Sequence, residues 1–315
     1  MKPPLLILTG PTGVGKSALS IALAKAIDGE IISADSMQVY QQMDIGSAKI
    51  MPNEQEGIPH HLIDILAPDE EFHVVKFQQL AKDVVAKIYE HGRIPIVVGG
   101  TGFYIQALLY DIDFTEAEQN YLARRKWENI AQIRGTDALH QMLQEVDPEA
   151  ARQIHPNNVK RVIRGLEFHA QTGEKISSHN AAERQKESPY TFAYFVLNEE
   201  REQLYRRINE RVDEMIKKGL VEEVAKLKAQ GYHKDMVSMQ GLGYKEILAY
   251  LDGNCALEDA IYLLKRDTRH FAKRQLTWFR REKDVIWLNK QDFDYKEEAL
   301  LQKMLEIARH RGIAV

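Results

Sequence analysis

The chain has 315 residues, 44% of them hydrophobic and 28% charged, and a formal net charge of −4. That describes a soluble globular protein of one large or two modest domains with a buried core, and excludes a strongly basic chain that binds nucleic acid through its total charge. No run approaches the roughly 18 apolar residues of a membrane span, and the single cysteine, Cys255, excludes an internal disulfide and a cysteine-based zinc site.

"LLILT" (5–9) reads as a buried strand. It begins so early that no signal peptide is expected, which points to a cytoplasmic protein. "GPTGVGKS" (10–17) follows and opens the amphipathic helix "KSALSIALAKAI". Gly10, Gly15, Lys16 and Ser17 match the phosphate loop G-x-x-x-x-G-K-[ST] in full, with Pro11, Thr12, Gly13 and Val14 between them. Such a turn surrounds phosphate oxygens with backbone N–H groups and a helix N-terminus; Lys16 adds a point charge and the Ser17 hydroxyl can take a Mg²⁺ position.

"EIISADS" is a second strand, with Asp35 and Ser36 just past its end. A carboxylate there could hold Mg²⁺ through water, serve as a general base, or cap a helix. "HHLIDI" (60–65) reads as a short strand that continues past Asp64, which favours a structural role for that residue; His60 and His61 lack a nearby third ligand and read as structural too. "VVKFQQLAKDVVAKIYEHG" is a helix stopped at Gly92, and "IPIVVGGTGFY" is a buried strand entering a second glycine turn. Where an ATPase would end this strand in a metal-holding Asp, the chain has Gly99, Gly100 and Thr101. That suits holding a leaving group better than polarising a hydrolytic water.

Helix then follows helix until "YTFAYFVL" (190–197), after which helices are expected over about 200–229 and 243–282, then a strand "VIWL" (285–288) and a closing helix. "SSHNAAERQKESP" suits a connector. The expected fold is α/β: a P-loop-containing, doubly wound parallel sheet with a helical insertion domain. Residues 1–114 form the first part of the core, 115–185 the insertion, and 186–315 complete the core with a basic helix.

Lys265 to Lys283 holds eight Lys or Arg against two acids. At helical spacing Arg266, Arg269, Lys273 and Arg280 share one stripe, with Leu264, Phe271 and Trp278 opposite, which makes a basic ridge able to follow several phosphates. "NNVKRVIRG" adds Lys160, Arg161 and Arg164. A solvated charged face is the competing reading of each cluster.

"GPTGVGKS", "ISADSMQVYQQMDIGSAK", "HHLIDI", "PIVVGGTGFY", "DPEAARQIHPNNVKRVIRGLE", "RINERVDEMIKKGLVEEV", "GLGYKEI" and "KRQLTWFR" occur in this order from one end of the chain to the other. Together they resemble the tRNA isopentenyltransferase family in its bacterial form, and the resemblance covers essentially the whole chain. It implies transfer of a dimethylallyl group from dimethylallyl diphosphate to the exocyclic amine of the adenosine at tRNA position 37, in tRNAs reading codons that begin with U, with release of diphosphate. On this resemblance the phosphate loop holds the prenyl diphosphate rather than ATP. Lys16, Mg²⁺ near Ser17, the loop amides and Thr101 neutralise the leaving group, Asp35 matches the family's general base, and Arg211 matches an arginine set against the diphosphate. Asp35, Ser36, Met37, Gln38 and Thr101 fall where the family contacts the target base. Arg124, Lys160, Arg161 and Arg164 match its contacts to the anticodon stem-loop in the insertion, and Lys273, Arg274, Gln275, Thr277, Trp278 and Arg280 match those on the C-terminal basic helix. The family also implies a monomer. Gly13-Val14 departs from the Ala-Ser of many relatives at positions where backbone amides do the cradling. A small-molecule P-loop kinase, an adenylate isopentenyltransferase and a non-catalytic RNA-binding protein are the rival readings.

Overall fold

The computed structural model describes residues 2–114, 121–183 and 185–314. They form two compact units, one of Met1–Leu109 with Pro189–Val315 and the other of Tyr110–Ser188. The insertion expected at 115–185 lies within the second unit, its residues 115–120 and 184 being outside the described ones.

In the first unit β1 (Pro4–Thr9), α1 (Lys16–Ile27), β2 (Gly29–Ala34), β3 (His60–His61), α2 (Val74–Glu90), β4 (Ile94–Gly99) and α3 (Gly102–Leu109) come before the second unit. In the second, α4 (Tyr121–Arg134), α5 (Thr136–Val146), α6 (Pro148–Gln153), α7 (Val159–Thr172) and α8 (Ile176–Glu183) follow one another. The first unit then resumes with β5 (Thr191–Asn198), α9 (Arg201–Lys217), α10 (Leu220–Ala229), α11 (Tyr244–Leu251), α12 (Leu257–Phe279), β6 (Val285–Asn289) and α13 (Glu297–His310).

Among the described residues the strands make one six-stranded sheet in the order β3-β2-β4-β1-β5-β6, parallel throughout. Parallel strands covered on both faces need continuous apolar runs, and Leu5 to Leu8 are fully buried. Leu19, Leu23 and Ile27 of α1, Leu204 and Ile208 of α9, and Leu300 and Met304 of α13 pack together with Leu6, Leu8, Phe195 and Leu197 in one core. The chain leaves β1, skips the place of β4 and enters β2, so the crevice beyond the carboxyl ends of β1, β4 and β2 is where such a sheet receives a ligand.

Three expectations need correction. β3 ends at His61 instead of running to residue 65, because Leu62 and Asp64 take left-handed φ of 62° and 56°. Asp64 therefore lies in a turn, ion-paired with Lys49, whose ammonium also donates to Tyr40 O (2.7 Å) and Asp44 Oδ1 (2.6 Å). The helix expected over 200–229 is two helices parted at Gly219, which sits at φ 99°. The one expected over 243–282 is also two, α11 and α12, parted by Asp252-Gly253-Asn254. His60 and His61 are structural: His61 Nε2 lies 2.6 Å from the buried Glu30 carboxylate, and His60 Nδ1 2.8 Å from Ile58 O.

The second unit has its own core, with Leu139 and Leu143 of α5 against Val162, Ile163 and Leu166 of α7. Asp147, fully buried, accepts from Ala150 N (3.0 Å) to cap α6 and from Ser177 N (2.9 Å) and Oγ (2.7 Å). Burial alone would raise its pKa, but these hydrogen bonds outweigh burial and hold it below the ordinary carboxylate value. Its stabilisation is thus present above the unfolded carboxylate pKa of about 4 and is lost as pH falls through the lower folded value. Asp147→Ala should cost about 3 kcal/mol, the sum of a lost cap and stranded donors, read by urea denaturation at neutral pH. A loss near zero would mean the α6–α8 link does not depend on this carboxylate.

Candidate active site

The phosphate loop joins β1 to α1 as its sequence demands. Gly10 has φ 145°, and a Cβ there would run into Leu197 O of the neighbouring strand, so no larger residue fits. Lys16 Nζ folds back to donate to Gly10 O and Pro11 O, each at 3.0 Å. No acidic residue occupies the first turn of α1, which leaves its N-terminal dipole free to favour an anion. Val14 is buried, whereas Thr12, Gly13, Gly15, Lys16 and Ser17 line a cavity of about 420 Å³.

Asp35 enters the same cavity from the end of β2. Its Oδ1 accepts from Met37 N (2.8 Å) and Gln38 N (3.4 Å), so it caps a turn, and no helix follows for it to cap. Among the described residues Oδ2 has no hydrogen-bond partner and remains available for chemistry. Gln38 also lines the cavity, anchored by Ser33 Oγ (3.2 Å) and Ala48 O (3.3 Å). Ser36 and Met37 belong to the turn; Met37 packs against Gly241.

Arg211 reaches the cavity from α9. Burial and the Arg211 charge bring the Lys16 ammonium down to about 8, opposed by the Asp35 carboxylate. Burial likewise lowers Arg211, again opposed by Asp35. Lys16, Arg211 and Asp35 are thus electrostatically coupled within one confined polar space. Sequence reading missed Arg207, Glu210 and Glu214, which line the cavity from the same helix face as Arg211; their three- and four-residue spacing in "RRINERVDE" was the available signal. It also missed Glu199. Burial raises this carboxyl, while Arg207 (3.5 Å) and Lys290 (3.9 Å) pull it down. Lys290 in turn donates to Val14 O (3.3 Å) and braces the phosphate loop from behind. Glu223, a third omission, accepts from the N–H groups of Asp44, Ile45 and Gly46 (3.0, 2.8 and 3.1 Å) and from Tyr244 Oη (2.8 Å). It thereby fixes the loop whose Ser47 and Ala48 form another wall of the cavity.

Gly99 and Gly100 complete the lining from the end of β4. Thr101 donates its N–H to Ala34 O (3.2 Å) and starts α3 by accepting from Tyr104 N (2.9 Å). On α12 the expected ridge is shorter than its periodicity suggested. Arg266 is taken up by Asp267 (2.8 Å) and Arg269 by Asn209 Oδ1 (2.6 Å), while Lys273, Arg274, Thr277, Arg280 and Arg281 are exposed. Phe271, expected on the buried side, lines the cavity. Gln275 lines the cavity too, buried and hydrogen-bonded within the protein to Thr12 N and Gly100 O. Trp278 is half-buried, edge-on to Phe103 with ring centroids 6.1 Å apart.

In the second unit Lys160 and Arg161 are exposed on α7. Arg124 is engaged by Glu128 (3.2 Å) and Glu167 (4.0 Å), and the Arg164 charge also acts on Glu167. Ser17 Oγ, Glu210 and Glu214 offer oxygen donors of the kind a hard cation takes. Among the described residues no group of three or more His, Cys, Asp or Glu forms a metal cage, and no helix is long and apolar enough to cross a membrane.

A family model described as IPP transferase matches residues 38–282, beginning after the phosphate loop. The tRNA dimethylallyltransferase of Lachnoclostridium phytofermentans is 60% identical over 98% of this chain and 99% of its own length; that of Carboxydothermus hydrogenoformans is 50% identical over 99% of each. The full-length tRNA isopentenylpyrophosphate transferase of Bacillus halodurans superposes with a TM-score of 0.74 at 44% identity, over 99% of this chain and 98% of that one. A eukaryotic dimethylallyltransferase acting on tRNA superposes at 0.84 with 32% identity, over 98% of this chain and 79% of that one. With identity this high across almost the whole length of both chains, phosphate loop included, the chain belongs to the IPP transferase family.

Proposed function

We propose that this protein transfers the dimethylallyl group of dimethylallyl diphosphate to the exocyclic amine of the adenosine at tRNA position 37, in tRNAs reading codons that begin with U. The observation that carries the reading is the convergence of Lys16, Arg211 and Asp35 on one cavity, beside the phosphate loop and the glycine end of β4. An adenine amine is a poor nucleophile because its lone pair is delocalised into the ring. The reaction therefore needs an electrophile made cation-like as diphosphate departs, and a base for the proton lost as the C–N bond forms. Lys16, Arg211 and the loop amides stabilise the growing charge on the leaving diphosphate, Thr101, next in the chain to the cavity-lining Gly100, is assigned the same role, and Asp35 Oδ2 takes the amine proton. Mg²⁺ fits the hard oxygen donors of the cavity: Ser17 would hold it, and it would supply further neutralisation of the diphosphate.

The acceptor base reaches such a site flipped out of the anticodon loop, where unstacking is least costly. Asp35, Ser36, Met37 and Gln38 would meet it at the end of β2. Lys273, Arg274, Thr277 and Arg280 on one unit, and Arg124, Lys160, Arg161 and Arg164 on the other, would take the RNA backbone. The same reading has the protein acting as a cytoplasmic monomer and treats residues 115–185 as the RNA-binding insertion. A kinase reading accounts for the phosphate loop but gives the exposed cations of α12 no use.

Digestion of unmodified tRNA after incubation with protein, Mg²⁺ and dimethylallyl diphosphate, followed by mass spectrometry of the nucleosides, tests the reading. Isopentenyladenosine should form only when tRNA and prenyl donor are both present. Phosphoryl transfer from ATP, or prenylation of free AMP, would overturn it in favour of a kinase or an adenylate isopentenyltransferase. The ridge has its own test: replacing Lys273 and Arg280 with Ala should lower the slope of log affinity for tRNA against log salt by about 1 per lost phosphate contact, with dimethylallyl diphosphate binding unchanged. An unaltered slope would make these side chains a solvated face.

A further inference from the structure

Gln275 is the third residue of "KRQLTW", between cations that face solvent, yet it is only 6% exposed. Its Oε1 accepts from Thr12 N at 2.8 Å and its Nε2 donates to Gly100 O at 3.0 Å. The amide orientation is fixed by its partners, since a backbone N–H can only donate and a carbonyl can only accept. One side chain from α12 therefore ties the phosphate loop to the turn after β4, across residues far apart in sequence. Gly100 is shaped to this contact: a Cβ there would collide with Gln275 Nε2. One turn further along α12 the Trp278 ring lies where a Cβ on Gly102 would stand, so the helix is seated on this turn at two successive levels.

We infer that Gln275 is a positioning residue for the diphosphate cradle, acting through Thr12 and Gly100, and not a contact to RNA. This rests on the reading of the cavity as a diphosphate site. The loop from Gly10 to Thr12 is held from two sides, by Lys16 on the carbonyls of Gly10 and Pro11 and by Gln275 on the amide of Thr12. Lys16 must share its donors with a bound phosphate. Gln275 also lines the cavity, but its Oε1 and Nε2 are already committed to Thr12 N and Gly100 O, so its hold on the loop does not compete with the ligand. The bond also directs the Thr12 N–H toward α12, leaving the amides beyond it and the N-terminus of α1 to the anion. The helix that carries the exposed Lys273, Arg274 and Thr277 thereby sets the register of the cradle.

The test compares wild type, Gln275→Leu and Gln275→Glu, measuring affinity for inorganic diphosphate with Mg²⁺ and for an anticodon stem-loop RNA, with circular dichroism to verify folding. Gln275→Leu strands a buried donor and a buried acceptor, and should weaken diphosphate binding about tenfold while RNA affinity stays within about twofold. The Gln275→Glu variant keeps the size and the acceptor but sets a carboxylate against Gly100 O. Its diphosphate affinity relative to wild type should be low at pH 8 and recover toward pH 5.5, where the protonated acid can donate again. That recovery is a signature a purely structural role would not give, and this variant carries the test if Gln275→Leu fails to fold. Unchanged diphosphate affinity in Gln275→Leu, or a loss confined to RNA, would overturn the inference. A wild-type protein that binds no diphosphate would overturn the reading of the cavity itself, and this inference with it.

Discussion

Asp35→Asn should lower the single-turnover rate of prenyl transfer by about 10² to 10⁴, the usual contribution of a positioned base, while tRNA and dimethylallyl diphosphate bind almost as before. Asn is more informative here than Ala. The Oδ1 of Asp35 caps the turn at Met37 and Gln38, and an asparagine side chain offers the same acceptor in the same place. The turn should survive with Gln38 still on the cavity wall, so what the substitution removes is the ability to take a proton and one negative charge. That charge now offsets Lys16 and Arg211. Its loss should leave diphosphate affinity unchanged or slightly tighter, and a large fall in rate with undiminished affinity is the expected pattern. A variant that turns over normally would reduce Asp35 to a cap. One that loses affinity for both substrates along with rate would mean the turn itself had collapsed.

The two roles of Asp35 show what a sequence can and cannot disclose. Its place past the end of β2 was legible, because buried strands alternating with helices leave few topologies, and the phosphate loop marks the ligand edge of the sheet. The use of one carboxylate oxygen for the turn and the other for the cavity was not, since it depends on backbone geometry over three residues. The over-long reading of β3 has a similar cause. "HHLIDI" carries enough apolar residues to read as a strand, but buried Lys49 holds Asp64 in a turn, and Lys49 is remote enough in sequence to give no warning. The breaks at Gly219 and Asp252-Gly253-Asn254 carry turn chemistry visible in the sequence, but the apolar periodicity resumes beyond them and masks it. The expected ridge failed at Arg266 and Arg269 for another reason: helical spacing gives the direction of a side chain and not the neighbour that pairs with it. Gln275, Glu199 with Lys290, and Glu223 join segments that only the assembled fold brings together, so no local pattern could announce them.

Lys16→Met should reduce kcat/KM for dimethylallyl diphosphate by about 10² to 10³, the scale of removing one charge-stabilising group from a leaving-group site, and should also remove a pH dependence. Burial and the Arg211 charge hold the Lys16 ammonium down at about 8. An anionic ligand beside it favours the charged form, so the pKa rises when diphosphate binds. The sign follows by linkage: below the free-protein value of about 8 the lysine is already protonated and affinity is flat. Above it, binding must take up a proton, and affinity should fall by about one log unit per pH unit until the bound-state pKa is reached. The ligand's own ionisation is common to both proteins, so the ratio of wild-type to Lys16→Met affinity isolates the lysine. That ratio should be constant at pH 6 to 7 and decline between pH 8 and 9.5. Methionine suits the comparison because it keeps the length of the stem and places no new polar group against Gly10 O and Pro11 O. A ratio that stays constant to pH 9.5 would mean that Lys16 remains charged throughout, its proton held by Asp35 more firmly than burial and Arg211 can loosen it. The rate defect would then be assigned to charge alone, with no titration at the cradle.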